Sequence, residues 1–226
     1  MAVVRLGNLL YKYEKEDLKI ENLPEITHDD AKEILFVTKK LCAEFGLKVY
    51  LAFGTLLGAV RDKDFIKGDL DVDVYVKDEE LLFSHLDYLE KKGLSLIRVV
   101  KHNTYSFRYK NNPKCYIDLY IARDAFNIWS LYCSEICGLA TPKKFLDDGK
   151  IEFLGEVFDC PKNPEEILEF WYTSSWNVPL DKSESEKYLY TVPSFYYYRI
   201  IKRNLKAIVK YLIGWRYWRS LIRKDE

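Results

Sequence analysis

The sequence has no excess of either charge: 35 Lys and Arg stand against 35 Asp and Glu. That excludes a uniformly basic nucleic-acid binder, and no nucleic-acid partner is expected. It also has no apolar run of the ~18–20 residues that a membrane-spanning helix needs. The first residues, MAVVRLGNLLYKYEKED, are interrupted by Arg5 and lack the apolar core and small-residue cleavage site of a secretory signal. There is no internal repeat and no low-complexity linker. The five cysteines, Cys42, Cys115, Cys133, Cys137 and Cys160, are odd in number and irregularly spaced. They form no disulfide framework, which fits a reducing compartment. Cys133 and Cys137 are spaced to share a helix face, but the paired short spacings of a zinc site are absent, so buried free thiols are expected. What remains is a globular composition, 48% hydrophobic and 31% charged, over 226 residues. One domain with an appendage is expected, in the cytoplasm by default.

The zero net charge conceals a segregation. Nine basic residues lie between Ser194 and Glu226: Arg199, Lys202, Arg203, Lys206, Lys210, Arg216, Arg219, Arg223 and Lys224. Only Asp225 and Glu226 oppose them, leaving the tail at +7 and residues 1–193 at −7. The chain therefore divides into a body (1–193) and a basic aromatic tail (194–226). In the tail, Ile201, Leu205, Ile208, Leu212, Trp215 and Ile222 follow helical spacing, interrupted by Arg219. A basic amphipathic helix of this kind can lie on an anionic membrane at the inner leaflet, dock on the acidic body or pair with a second subunit.

Along the body, Thr27 and Asp30 resemble a capping box. Ile34, Val37, Leu41 and Phe45 then continue a helix that Gly46 stops. Lys48 to Phe53 reads as a strand, Leu56 to Arg61 as a short helix, Leu70 to Val76 as an alternating strand and Asp78 to Lys92 as a helix ending at Gly93. Leu94 to Val100, Thr104 to Tyr109 and Cys115 to Ile121 read as strands, and Ile151 to Asp159 as a hairpin centred on Gly155. Pro164 opens a further helix. The expected class is α+β, a mixed sheet flanked by helices, followed by the C-terminal basic amphipathic helix.

The segment LAFGTLLGAVRDKDFIKGDLDVDVYV, residues 51–76, carries the chemistry. Asp69, Asp71 and Asp73 occupy alternate positions, so a strand would align three carboxylates on one face. Their repulsion is costly unless a cation offsets it, and hard ions such as Mg²⁺ or Mn²⁺ prefer carboxylate oxygens and substrate phosphates. A solvated edge strand is the plain alternative. Gly54 and Thr55 follow a strand and open a helix, where backbone N–H groups attract phosphate. Arg61, further along that helix, has the fork for a phosphate. Asp118 sits within an apolar strand and can complete the carboxylate cluster, an arrangement suited to in-line phosphoryl displacement. Arg108 lies between apolar neighbours, and the pattern allows either a site-facing position or, more ordinarily, a surface one.

These residues resemble the signature of the LicD/fukutin-related family of nucleotidyltransferase-like phosphotransferases. That signature runs Gly-Thr-Leu-Leu-Gly-Ala-x-Arg, then Phe-Ile-Pro-Trp-Asp-x-Asp-h-Asp, where h is apolar. It matches Gly54, Thr55, Leu56, Leu57, Gly58, Arg61, Phe65, Ile66, Asp69, Asp71 and Asp73. The closing pattern matches Phe153, Gly155, Pro161, Leu168, Tyr172, Trp176 and Pro179. The family's Pro-Trp is Lys67-Gly68 here, which removes an aromatic and adds a cation near the donor, and its Tyr-Gly is Tyr172-Thr173. The resemblance implies Mg²⁺-dependent transfer of phosphocholine or a polyol phosphate from a CDP-activated donor to a hydroxyl of a glycan or lipid-linked saccharide. Asp71 and Asp73 would hold the metal, supported by Asp69. Asp118 would bind metal or take the acceptor's proton, and Gly54, Thr55, Arg61, Lys67 and Arg108 would contact substrate.

A nucleotidyltransferase that leaves the nucleoside monophosphate on its product would use the same carboxylates. A glycosyltransferase would leave Asp118 and Gly54-Thr55 unexplained, and a silent assembly module would not need all four Asp. For the tail, deletion of residues 195–226 is expected to abolish co-sedimentation with anionic vesicles. Unchanged vesicle binding would rule out its membrane role.

Overall fold

Strand β1 (Ala2–Leu6) turns through Gly7 and Asn8 into β2 (Leu9–Tyr13), an antiparallel hairpin that the sequence reading omits. The computed structural model describes residues 1–18, 23–100, 104–128, 131–136, 139–172 and 175–179. The tail, its boundary at 193, His102, Cys137 and Thr173 lie outside the described residues.

Helix α1 (His28–Glu44) starts at the expected cap: Thr27 Oγ1 accepts the Asp30 N–H at 3.2 Å and donates to the Asp30 carboxylate at 2.6 Å. It buries Ala31, Ile34, Leu35, Leu41 and Cys42, and the chain leaves through Gly46 at φ +81°. The expected strand from Lys48 shortens to β3 (Tyr50–Leu51), because the backbone turns at Phe53 (φ +36°) directly into α2 (Phe53–Arg61). Strand β4 (Val72–Val76) begins two residues later than its alternation suggests. Gly68 makes a left-handed turn (φ +83°), and the Asp69 carbonyl accepts the Ile26 N–H, so Asp69 and Leu70 are not in the sheet.

The helix expected over residues 78–92 is two, α3 (Glu79–Ser84) and α4 (Leu86–Lys91), divided at His85. The His85 ring stacks on Phe45 at 4.2 Å, and Gly93 (φ +86°) ends the pair. Strands β5 (Leu94–Val100) and β6 (Thr104–Tyr109) follow as read, and β7 (Ile117–Ile121) starts two residues later than expected. Three short strands then form their own antiparallel sheet: β8 (Arg123–Ile128), β9 (Leu131–Ile136) and β10 (Leu139–Pro142). Cys133 is in β9, so the helix face proposed for it and Cys137 does not exist. Cys42, Cys115 and Cys160 are buried free thiols, as expected. The hairpin β11 (Asp148–Phe153) and β12 (Glu156–Pro161) turns at Leu154-Gly155, both at positive φ, and α5 (Pro164–Tyr172) opens on its proline.

The main sheet has seven strands in the order β11-β12-β3-β4-β7-β6-β5. It is mixed: β12 pairs with β3, and β4 with β7, in parallel, while the other neighbours are antiparallel. Val72, Val74 and Val76 alternate with the residues of the site and join Ile117, Leu119, Ile121 and the α1 side chains in one core. No helix among the described residues is long and apolar enough to cross a membrane.

Helix α2 lies close to the loop that leads to Asp69. A β-carbon on Gly58 would fall 2.4 Å from the Asp64 carbonyl oxygen, a backbone atom. Gly58→Ala is therefore expected to force the loop away and cost about 1–3 kcal/mol in denaturant unfolding. An unchanged midpoint would show that the loop yields freely.

Candidate active site

The parallel pairing of β4 with β7 sets Asp73 opposite Asp118. Antiparallel pairing continues the row from Asp118 to Ser106 on β6 and from Ser106 to Arg98 on β5. Four polar side chains thus run across four strands on one face of the sheet. The row is sequestered: Asp73 is 7% exposed, Asp118 4% and Ser106 0%.

Asp73 is the most fully held. Its Oδ2 accepts the Gly54 N–H at 2.9 Å and its Oδ1 accepts the Tyr120 hydroxyl at 2.9 Å. Its own N–H donates to Thr55 Oγ1 at 2.8 Å. The first turn of α2 is thereby fixed to β4, with the positive end of the helix against a carboxylate. A β-carbon on Gly54 would meet Asp69 Oδ2 at 2.8 Å and Asp73 Oδ2 at 3.0 Å, so glycine is the residue that lets both acids close over the helix start. The Gly54 amide and the Thr55 hydroxyl oxygen, expected to face phosphate, are instead engaged with Asp73.

Asp71 receives a hydrogen bond from Tyr116. Its carboxyl is nevertheless pushed up to about 7, first by burial and then by the charges of Asp118 and Asp69. Burial likewise drives Asp73 well above the carboxylate range, with the charges of Asp71, Asp69 and Asp118 adding to it. Asp118 is raised by burial against the pull of Ser106 and Arg98. Arg98 Nη2 reaches Asp118 Oδ2 at 3.1 Å, and Arg98 Nε donates to Ser106 Oγ at 3.0 Å. Asp69, although outside the strand, reaches the cluster from the preceding loop; its Oδ1 accepts the Leu70 N–H at 3.0 Å.

The expected cations have other places. Arg61 forks onto Asp62 with two contacts of 2.8 Å and approaches the Trp176 carbonyl at 3.5 Å, so its guanidinium is not among the four acids. Arg108 is neither a surface charge nor directed at the carboxylates. It is buried, and its fork binds Glu16 at 2.7 Å and the carbonyls of Asn112 and Cys115 at 3.1 and 3.0 Å, closing the turn before β7. Lys67 is exposed on the turn before Asp69.

Residue reading alone did not single out Arg98, Ser106, Tyr116 and Tyr120. The two tyrosines flank Asp118 at two-residue spacing, which places all three on one strand face and was readable in principle. Among the described residues, no three His, Cys, Asp or Glu side chains already form a metal-holding group. The donor set nonetheless suits a hard cation that takes one or two carboxylates and completes its shell with water and phosphate oxygens, and the carboxyls raised by burial, and at Asp71 and Asp73 also by mutual repulsion, are ones such a cation would return to the ionised form.

That repulsion gives a pH dependence of known sign. Carboxyls whose folded values lie above the unfolded ~3.9 bind more protons folded than unfolded, so stability falls as pH rises through that interval. For Asp71 the window runs from about pH 4 to about 7. The metal-free protein is expected to melt several degrees higher at pH 6 than at pH 8, with Asp71→Asn flattening the difference. A parent whose midpoint rises from pH 6 to pH 8 would contradict this electrostatic picture.

No curated protein matches the sequence. The solution structure of the antibiotic-resistance factor ANT(2'')-Ia superposes with a TM-score of 0.48 at 15% identity, covering 80% of this chain and 97% of that one. The lincomycin-bound crystal structure of the lincosamide antibiotic adenylyltransferase LnuA gives 0.46 at 11% identity, covering 75% and 99%. The family model described as LicD/FKTN/FKRP, nucleotidyltransferase domain, matches residues 46–163, just over half the chain and the stretch that holds all four acids, and the chain belongs to that family.

Proposed function

We propose that this transferase moves a phospho-alcohol group, phosphocholine or a polyol phosphate, from a CDP-activated donor to a glycan hydroxyl. The observation that supports it is the pair of buried carboxylates Asp73 and Asp118 on adjacent parallel strands, with Asp71 just before the first of them, within a chain of this family. Mg²⁺, or Mn²⁺ in its place, bound by Asp71 and Asp73 with Asp69 in support, would neutralise the donor diphosphate and make its bridging oxygen a better leaving group.

The chain's own groups do the rest. Gly54 and Thr55 hold Asp73 in place, so the carboxylate meets its ligand without reorganising. The acceptor hydroxyl attacks the distal phosphorus, forming a new oxygen–phosphorus bond. The bond from that phosphorus to the bridging oxygen breaks, and CMP departs with its electron pair. The hydroxyl proton passes to Asp118, the acid on the neighbouring strand. Lys67, exposed on the turn before Asp69, supplies a cation for the donor phosphates. The basic tail brings the enzyme to anionic lipid, where a lipid-linked saccharide acceptor is held.

Purified protein incubated with CDP-choline, CDP-glycerol or CDP-ribitol, a glycan acceptor and Mg²⁺ is expected to release CMP from one donor. The Asp71→Asn/Asp73→Asn double variant is expected to lose about a thousandfold or more of that rate. Full activity in the double variant would falsify the metal assignment. A product that retains the nucleoside monophosphate would identify the reaction as nucleotidyl transfer instead.

A further inference from the structure

Arg98 is where it is because of an irregularity. On β5, Leu94 and Leu96 point into the core and pair with Tyr109 and Phe107. Strict alternation would send Arg98 to that apolar side as well. The register shifts between Leu96 and Arg98, so Arg98 lies opposite Ser106 instead, on the face of the carboxylates. A bulge that re-aims one side chain is a specific device rather than a defect.

The side chain then makes an unusually long reach. β5 is the edge of the sheet, and β6 separates it from β7. Strands lie ~4.8 Å apart, so Asp118 is about 10 Å away across the sheet, a span that suits the length and fork of arginine. On the way, Nε takes the fully buried Ser106 hydroxyl and the guanidinium lies 5.7 Å from the centre of the Tyr116 ring. Nη2 ends on both Asp118 oxygens, at 3.1 and 3.4 Å. Tyr116 itself bonds Asp71. Asp118 thus forms an ion pair with the Arg98 guanidinium.

We propose that Arg98 is a positioning residue that divides the labour of the four acids. Its charge and fork keep Asp118 oriented toward the acceptor and out of the cation's ligand set, which leaves Asp71 and Asp73 to hold the cation. The part concerning turnover rests on the transfer reaction proposed above; the part concerning the cation does not.

The test uses the full chain. Mn²⁺ titration followed by electron paramagnetic resonance, without donor, is expected to show Arg98→Gln binding Mn²⁺ about threefold or more tightly than the parent, because a like charge has left the cluster. Arg98→Lys, which keeps the charge, is expected to match the parent and carries the comparison if the glutamine variant does not fold. With an active donor, Arg98→Gln is expected to lower kcat about tenfold or more with little change in donor KM, and Arg98→Lys to recover part of that loss. In an Asp118→Asn background, Arg98→Gln is expected to cost almost nothing further, since it acts through the missing carboxylate. Unchanged or weaker Mn²⁺ binding in Arg98→Gln, or a full additional loss in the Asp118→Asn background, would overturn the proposal. If no donor is turned over, the transfer reading fails while the Mn²⁺ titration still decides the division among the acids.

Discussion

The structure depends on one costly pairing. β4 and β7 lie parallel and in register, so Asp73 and Asp118 stand side by side in a region almost closed to water, with Asp71 and Asp69 at the same end. Burial raises all three carboxyls of Asp71, Asp73 and Asp118, and the charges of neighbouring acids add to it at Asp71 and Asp73. A fold chosen for stability alone would place valine or isoleucine there, as it does on the alternate positions of the same strands. Buried acids without an equal number of buried cations are a common mark of a site that awaits a charged ligand.

Most of the neighbouring structure serves to hold that arrangement. The strained turn at Phe53 starts α2 early and aims the Gly54 amide at Asp73. The Phe53 ring is wedged against Tyr120 and Trp171, at centroid distances of 4.9 and 4.5 Å, and Tyr120 in turn donates to Asp73. Trp171 is anchored by its own N–H on Thr141, so α5 closes the arrangement from the C-terminal side. Arg108 fastens the turn that delivers β7, and Arg98 spans two strands to Asp118. The site is therefore built on strands and one helix start, with the loop before β4 contributing Asp69 and Asp71.

Local patterns made much of this legible. The Thr27 cap, the hairpin turn at Gly155 and the strand alternation from Val72 through Asp73 to Val76 are short-range features, and the structure has each. Asp118 stood out because an acid in an apolar strand needs a reason. What the pattern could not convey was non-local or irregular. Alternation places Asp69 in a strand, but the Gly68 turn and the bond from Ile26 take it out. Arg98 was not singled out, because a bulge reverses its face, and Arg108 could not be placed, because its partner Glu16 is distant in sequence; the pairing of Arg61 with its neighbour Asp62 is local but has no distinctive pattern. The β1–β2 hairpin was legible in its two-residue Gly7-Asn8 turn but was not read, and the β8–β10 sheet carries weak periodicity.

The central claim is that Asp71 and Asp73 hold a divalent cation against a donor diphosphate. Phosphorus NMR relaxation of CDP-choline, CDP-glycerol and CDP-ribitol in the presence of Mn²⁺ and the full chain reads this directly. The account predicts that, for the donor it binds, protein-bound Mn²⁺ strongly enhances relaxation of both phosphorus nuclei, and that Asp73→Asn removes the enhancement. Equal enhancement in the parent and in Asp73→Asn would contradict it.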